Sequence, residues 1–390
     1  MNKENLKKAS ILFITLSLIY ILYQSKYLFE IVPPIVANNK IFLFGDWTAI
    51  VSAIKCNNLG LNVYLENPCD PLKRIHVYGS IFLLLSTITK FKYFFFLIFP
   101  IITIIIFLIS IIYYFKFENA KSILLYFLCI FNPSTLLLLE RFNFDLVIFL
   151  GLLFIVLINK NIINFIVLII LFSMKFWSII FSSIFIFSEN ENLKKNLIYV
   201  MFSLILFFIL IYVEYENLKL INLKSAQITA SKYFIFGINS LGAFVENNSL
   251  IITYSILFIS LLFIYNIEGG QFDIAINKIE EKEFKLLIIS ALTLVIMYFA
   301  FDNVYYREVF IIGCIPYFLK YQNLKYNRIF LNFLIARYVI FILARVFYKE
   351  FEIEWLYLIK NVLDLILISN LIILIFYFTK NYYKKIFQLV

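Results

Sequence analysis

Long apolar stretches recur along this chain and leave few folds open to it. Ile11 to Tyr23, Phe94 to Phe115, Asn196 to Val213, Leu286 to Phe301 and Leu358 to Phe378 each fill much or all of a bilayer crossing, for which about 20 helical residues suffice. Of the 390 residues, 63% are hydrophobic and 15% charged, too little polar surface to clothe a soluble globule of this size. The expectation is an all-α polytopic membrane protein with about 12 membrane segments, some short or re-entrant, forming one integral membrane domain over 1–390. Lys3, Lys7 and Lys8 precede the first run as in a signal peptide, but no small-residue cleavage site follows, so a retained first helix is expected.

Composition also excludes several functions. The net charge is +10, but the cations are scattered among apolar segments and form no basic stripe, so nucleic acid is not an expected partner. The four cysteines, at 56, 69, 129 and 314, show no C-x-x-C spacing, and His76 is the single histidine. A zinc site or a Ser-His-Asp triad is therefore not expected. The nine glycines make no G-x-G-x-x-G or Walker pattern, which argues against a nucleotide-binding fold.

Basic residues of short loops favour the cytoplasmic side, which places Lys3, Lys7 and Lys8 inside and the 30–77 loop outside. The 78–213 region follows as a core membrane module, and 214–390 as C-terminal membrane helices. The decisive segment is 162–187, interrupted by Lys175. Read as one span, it puts Lys320, Lys325, Arg328, Lys380, Lys384 and Lys385 outside. Read as two short helices meeting near Lys175, it puts all six inside, and this reading is adopted. Both termini are then cytoplasmic, as in a protein of a bacterial inner membrane. Asp46, Arg74, His76, Glu140, Arg141, Asn143, Asp145, Lys175, Tyr306 and Arg307 all fall on the outer side. So does the polar-aromatic stretch 231–244, whereas the acidic stretch 266–284 falls inside as a solvated connector.

Within the large first loop, "GDWTAIVSAIKCNNLG" places Trp47, Ile50, Val51 and Ile54 on one helical face, with Ser52, Lys55 and Asn57 turned away. An amphipathic helix lying in the interface and ended by Gly60 is expected. Asp46, at its start, is either the N-cap or a general base held at the membrane surface. Cys56 and Cys69 could bridge helix to turn or stay as two free thiols. Arg74 could snorkel or touch a phosphate, and His76 reads best as a satisfied structural histidine.

"NPSTLLLLERFNFDLVIF" sets Glu140, Arg141, Asn143 and Asp145 between apolar helices, where a charge at membrane depth costs on the order of 3 kcal/mol. A Glu140–Arg141 ion pair would lower that cost, and Asp145 could join it if the segment were helical. Lys175 has no acidic neighbour in sequence and needs an anion from elsewhere, a phosphate being a natural one. "FDNVYYREVF" adds Tyr306 and Arg307 at another helix end.

Taken in order, "GDW", "NVYLENPCDPLKRIHVY", "NPS" with "LERFNFD", the lysine of "MKFWS" and "NVYYREVF" resemble bacterial membrane glycosyltransferases of the GT-C fold, most of all the family-87 type. The likeness covers roughly residues 40–320. Phe142 stands where that family usually has glycine, Gly79 where proline is expected, and "KFWS" lacks the proline that follows the lysine. The resemblance implies transfer of a sugar, hexosyl or pentosyl and mannosyltransferase-like, from a polyprenyl-phosphate donor to a lipid-linked or cell-envelope glycan acceptor outside the cytoplasm. It assigns the general base to Asp46 and donor-phosphate contacts to Lys175, Arg74 and Arg307. Site lining goes to His76, Glu140, Arg141, Asn143, Asp145 and Tyr306. No cofactor is required, although a divalent metal could assist Asp46 and Asp145. The competing readings are a transporter or flippase of lipid-linked sugars, a polysaccharide polymerase or ligase, and a non-catalytic membrane scaffold.

Overall fold

A computed structural model describes residues 3–24, 35–37, 40–84, 97–158, 160–187, 193–225, 235–237, 254–259, 262, 279–300, 303–351 and 354–387. Most of the 231–244 and 266–284 stretches lies outside the described residues. The protein is built from apolar helices, with two two-stranded antiparallel ribbons, Ile35–Ala37 with Lys40–Phe42 and Ile235–Phe236 with Asn303–Val304. Among the described residues five helices are long and apolar enough to cross a membrane: Glu4–Gln24, Lys194–Val213, Glu281–Ala300, Lys325–Phe347 and Trp355–Lys380. A sixth arises if Ala120–Phe131 and Pro133–Arg141, bent by 48°, form one broken span. Shorter apolar helices cover Phe99–Tyr114, Asp145–Ile158, Asn161–Met174 and Phe176–Ile186. This is a helical membrane protein.

Two compact units interleave along the chain, one of residues 32–110 and 137–229, the other of 1–31, 111–136 and 230–390. In the first, Asn161–Met174 packs against Asp145–Ile158 and Leu193–Val213, and Gly45–Asn58 leads into the 59–79 loop. In the second, Glu281–Ala300 packs on Val309–Lys320 and on Trp355–Phe387, which also holds Lys325–Phe351.

Local chemistry sets the element ends that matter for the site. Asn119 caps Ala120–Phe131 with a reciprocal Ser122 capping box. That helix stops at Asn132, which Pro133 holds in an extended conformation (φ −73°, ψ 156°), and the proline then opens the next helix, where its missing N–H costs nothing. The 162–187 segment breaks where the sequence reading placed the break. Lys175 is extended (φ −140°, ψ 113°) between Asn161–Met174 and a 3₁₀ turn over Phe176–Ser182.

The helix carrying Asp46 runs from Gly45 to Asn58, and Gly60 beyond it takes the left-handed conformation (φ +83°) that ends helices with glycine. Its surroundings correct one expectation. Ser52, predicted on the outward face, is buried, together with Trp47, Ile50, Ala53, Ile54 and Cys56. The helix is packed on more than one side, because the disulfide-linked loop folds back over it. Cys56 and Cys69 form that disulfide, next to a small core of Ala53, Val63 and Tyr64. The bridge closes a loop of 13 positions, and a closure of that length restricts the unfolded chain by about 3 kcal/mol. Reduction, or Cys56→Ser, is expected to lower unfolding stability in detergent by that amount, and an unchanged midpoint would show that the loop is held by its packing alone.

Candidate functional site

The site grows out of a tight reversal between two helices. At the end of Pro133–Arg141, Phe142 turns left-handed (φ +47°), and its N–H and that of Asn143 donate back to the Leu139 and Leu138 carbonyls at 3.2 and 3.1 Å. This is a helix-ending geometry that favours glycine. A side chain there costs about 1 kcal/mol of backbone strain. Here the Phe142 ring is fully buried, edge-on to Phe44, Trp47 and Phe99, which offsets that strain. Asn143 then starts the next helix, its Oδ1 accepting the Asp145 N–H at 3.0 Å.

Asn143 also joins two residues far away in sequence. Its Nδ2 donates to Asp46 Oδ2 at 2.7 Å, and its Oδ1 accepts from Lys175 Nζ at 3.0 Å. The lysine donates in turn to Asp145 Oδ1 at 2.6 Å and lies over the Tyr78 ring, 5.3 Å from its centre. Asp46 is not the N-cap. Phe44 holds that position and no side chain caps the helix, so the Asp46 carboxylate is directed into the site. The anion that meets Lys175 comes from elsewhere in the chain, as expected, and is the Asp145 carboxylate rather than a phosphate.

Arg74 approaches from the loop. Its Nη1 is 3.5 Å from Asp46 Oδ1, and its Nη2 donates to the Gly45 carbonyl at 2.7 Å. Nε and Nη2 grip both oxygens of Asp70 at 2.9 Å, a bidentate pair. Asp70, buried and also accepting the Leu72 and Arg74 N–H groups, was missed by sequence reasoning. Its four-residue spacing from Arg74 was the available signal.

Glu140 and Arg141 form the expected pair at 3.8 Å, longer than a hydrogen bond. Both Glu140 carboxylate oxygens are buried without a hydrogen-bond partner among the described residues, while its backbone carbonyl accepts the Phe44 N–H at 2.9 Å. Position 79 takes glycine for a steric reason. A Cβ there would lie 1.9 Å from the Ser173 carbonyl oxygen, and the Gly79 N–H reaches the Met174 carbonyl at 3.3 Å. The loop thus presses backbone to backbone on the residues that deliver Lys175.

His76 is buried among Tyr64, Tyr78 and Phe82. Burial pushes its imidazole from 6.5 down to about 4, against the opposing effects of the Gly79 carbonyl and Glu214. As pH falls, the unfolded chain therefore takes the proton first. The ring's contribution is complete above pH 6.5 and fades between 6.5 and 4, by about 3 kcal/mol in all. Unfolding midpoints measured across this window are expected to fall with acid in the native protein and to fall less in His76→Leu; parallel profiles would show that the imidazole is not the group responsible.

Tyr306 and Arg307 belong to the second unit, in the Tyr305–Glu308 turn. There Tyr306 is buried and Arg307 Nη1 contacts Met297 Sδ at 2.8 Å. The same unit holds a buried charge cluster that sequence reasoning did not single out. Arg337 Nη2 lies 2.7 Å from Glu308 Oε1 and 2.6 Å from Asp364 Oδ1. Lys360 Nζ lies 3.1 Å from Glu308 Oε1 and 2.6 Å from Asp364 Oδ2. Ser134 Oγ donates to Glu308 Oε2 at 2.7 Å, and Lys360 sits 3.5 Å over the Tyr305 ring. Among the described residues, no three of His, Cys, Asp and Glu gather closely enough to hold a metal ion. No protein-family model, no curated protein and no solved structure matches the chain.

Proposed function

We propose that this protein is a GT-C-type membrane glycosyltransferase that moves a sugar from a polyprenyl-phosphate donor to a lipid-linked or cell-envelope glycan acceptor on the extracytoplasmic side. One observation carries the reading: a single amide, Asn143, holds a carboxylate on one side and an ammonium on the other. An inverting transfer needs those two charges at opposite ends of the reacting bonds. The acceptor hydroxyl attacks the anomeric carbon and gives its proton to Asp46. The bond from that carbon to the phosphate oxygen breaks, and its electron pair leaves with the lipid phosphate.

Lys175 supplies N–H donors on the departing side, oriented by Asp145, while Arg74, gripped by Asp70, lies beside Asp46 and would reach a phosphate only from the base's side. The resemblance adds Glu140 and Arg141 to the lining of the site. The Cys56–Cys69 disulfide suits an oxidising exterior. The resemblance implies a many-spanning GT-C arrangement of about 12 segments; the described residues contribute five long apolar helices, six with the bent pair, and four shorter ones.

Sugar transfer in proteoliposomes tests this reading, with a panel of radiolabelled polyprenyl-phosphate sugars as donors and membrane extract as acceptor. Label is expected in the acceptor and free polyprenyl phosphate is expected to accumulate. Lipid-linked sugar that crosses the bilayer without being consumed would overturn the reading in favour of a transporter.

A further inference from the structure

The helix that presents Asp46 at one end carries a second polar feature at the other. Beyond Asn57 an open depression of about 340 Å³ lies between the 60–64 turn and the Tyr215–Ser225 helix, with Asn57, Asn62 and Asn217 among its lining residues. Its walls are fixed. Cys56, bonded to Cys69, packs with Ala53, Val63 and Tyr64, and Leu61, Leu220 and Ile221 close around them.

Two of the amides are held by one half only. Asn62 Oδ1 accepts the Tyr64 N–H at 3.1 Å, which leaves its Nδ2 as the outward donor. Asn217 Nδ2 donates to Glu214 Oε2 at 2.8 Å, which leaves its Oδ1 as the outward acceptor. Glu214 is itself buried and anchored, its Oε1 accepting the Ser80 N–H at 2.9 Å. Asn57 adds a whole amide. Gly60, whose left-handed backbone favours glycine, leaves open space where a side chain would stand.

None of the lining residues is charged. A phosphate would find no cation there, and a lipid tail would leave the amides unsatisfied. Neutral hydroxyls, which both donate and accept, complement amides fixed in this way.

We propose that this depression is a subsite for a neutral sugar unit of the acceptor glycan, set back from the reacting hydroxyl. This rests on the transferase reading above. Eleven helical positions separate Asp46 from Asn57, roughly 16 Å at the α-helical rise, a span for several linked rings. The enzyme would then favour oligosaccharide acceptors over single sugars.

The test is saturation-transfer NMR on the purified full chain in a detergent without sugar headgroups, using mannotriose, maltotriose and triacetylchitotriose as probes. At least one trisaccharide is expected to bind. Its affinity is expected to fall roughly tenfold in Asn57→Leu, as the loss of one or two hydrogen bonds implies, and to fall similarly in Asn217→Leu. Asn57→Leu removes no internal side-chain hydrogen bond seen among the described residues, so it separates lost binding from lost folding. No binding by any of the three, or binding that Asn57→Leu and Asn217→Leu leave unchanged, overturns the subsite. Binding that follows these variants, in a protein that transfers no sugar from any donor, keeps the subsite and overturns the transferase. Transfer whose acceptor KM ignores both variants does the reverse.

Discussion

Asp46→Asn is expected to lower sugar transfer by about 10²–10⁴-fold, the usual contribution of a positioned general base, while leaving the unfolding midpoint close to that of the native protein. The substitution is isosteric and keeps an oxygen able to accept from Asn143 Nδ2, whose 2.7 Å bond defines the carboxylate's place. The helix loses no cap, because Phe44 occupies that position and no side chain caps it. The capacity to take a proton disappears, and with it the negative charge that faces Arg74 at 3.5 Å. The measurement is kcat for transfer in proteoliposomes beside thermal unfolding in detergent. Equal rates would reduce Asp46 to a structural partner of Asn143 and Arg74. A lost fold would show that its 3.5 Å approach to Arg74 matters more than its distance suggests.

Asp364→Leu is expected to be the most damaging single change for stability, by about 3–5 kcal/mol. Glu308, Arg337, Lys360 and Asp364 are all buried and form a neutral set of two cations and two anions. Both anions meet both cations, and Asp364 does so more closely, at 2.6 Å each, than Glu308 at 2.7 and 3.1 Å. Removing it leaves Glu308 alone to balance Arg337 and Lys360, in a region where water cannot help. The double variant Lys360→Met with Asp364→Leu restores neutrality around the remaining Arg337–Glu308 contact, and it is expected to recover much of the loss. Denaturant unfolding in micelles reads both. A double variant as unstable as the single one would mean that packing lost at Lys360, which lies over Tyr305, outweighs the charge balance.

How much of this was legible in the sequence depended on whether a residue's partner lay near it. The break at Lys175 was legible because only two short helices meeting there keep the six later cations on the inner side, and the break is there. Gly60 announced the end of the Asp46 helix through the conformation only glycine adopts freely. Glu140, Arg141, Asn143 and Asp145 stood out as polar groups between apolar helices. Their pairing did not, because Asp145 meets Lys175, 30 residues on, and Asn143 meets Asp46, 97 residues back. Nothing local encodes either meeting. The Glu308, Arg337, Lys360 and Asp364 cluster was hidden for the same reason, although Lys360 and Asp364, four apart within one apolar helix, offered a readable half of it. The requirement at Gly79 was invisible too, since it comes from a carbonyl in a segment far along the chain.

The Asn143 amide has a further property. Its oxygen faces two groups that can only give hydrogen, the Lys175 ammonium and the Asp145 N–H, and its nitrogen faces a carboxylate. Turning the amide over would set donor against donor on one side and oxygen against oxygen on the other. It can therefore be seated in one sense only, like a keyed part. An aspartate at 143 would present two oxygens and lose the key, and a leucine would lose the contact altogether. The relative placement of Asp46 and Lys175 is thus set by the handedness of one side chain that carries no charge of its own.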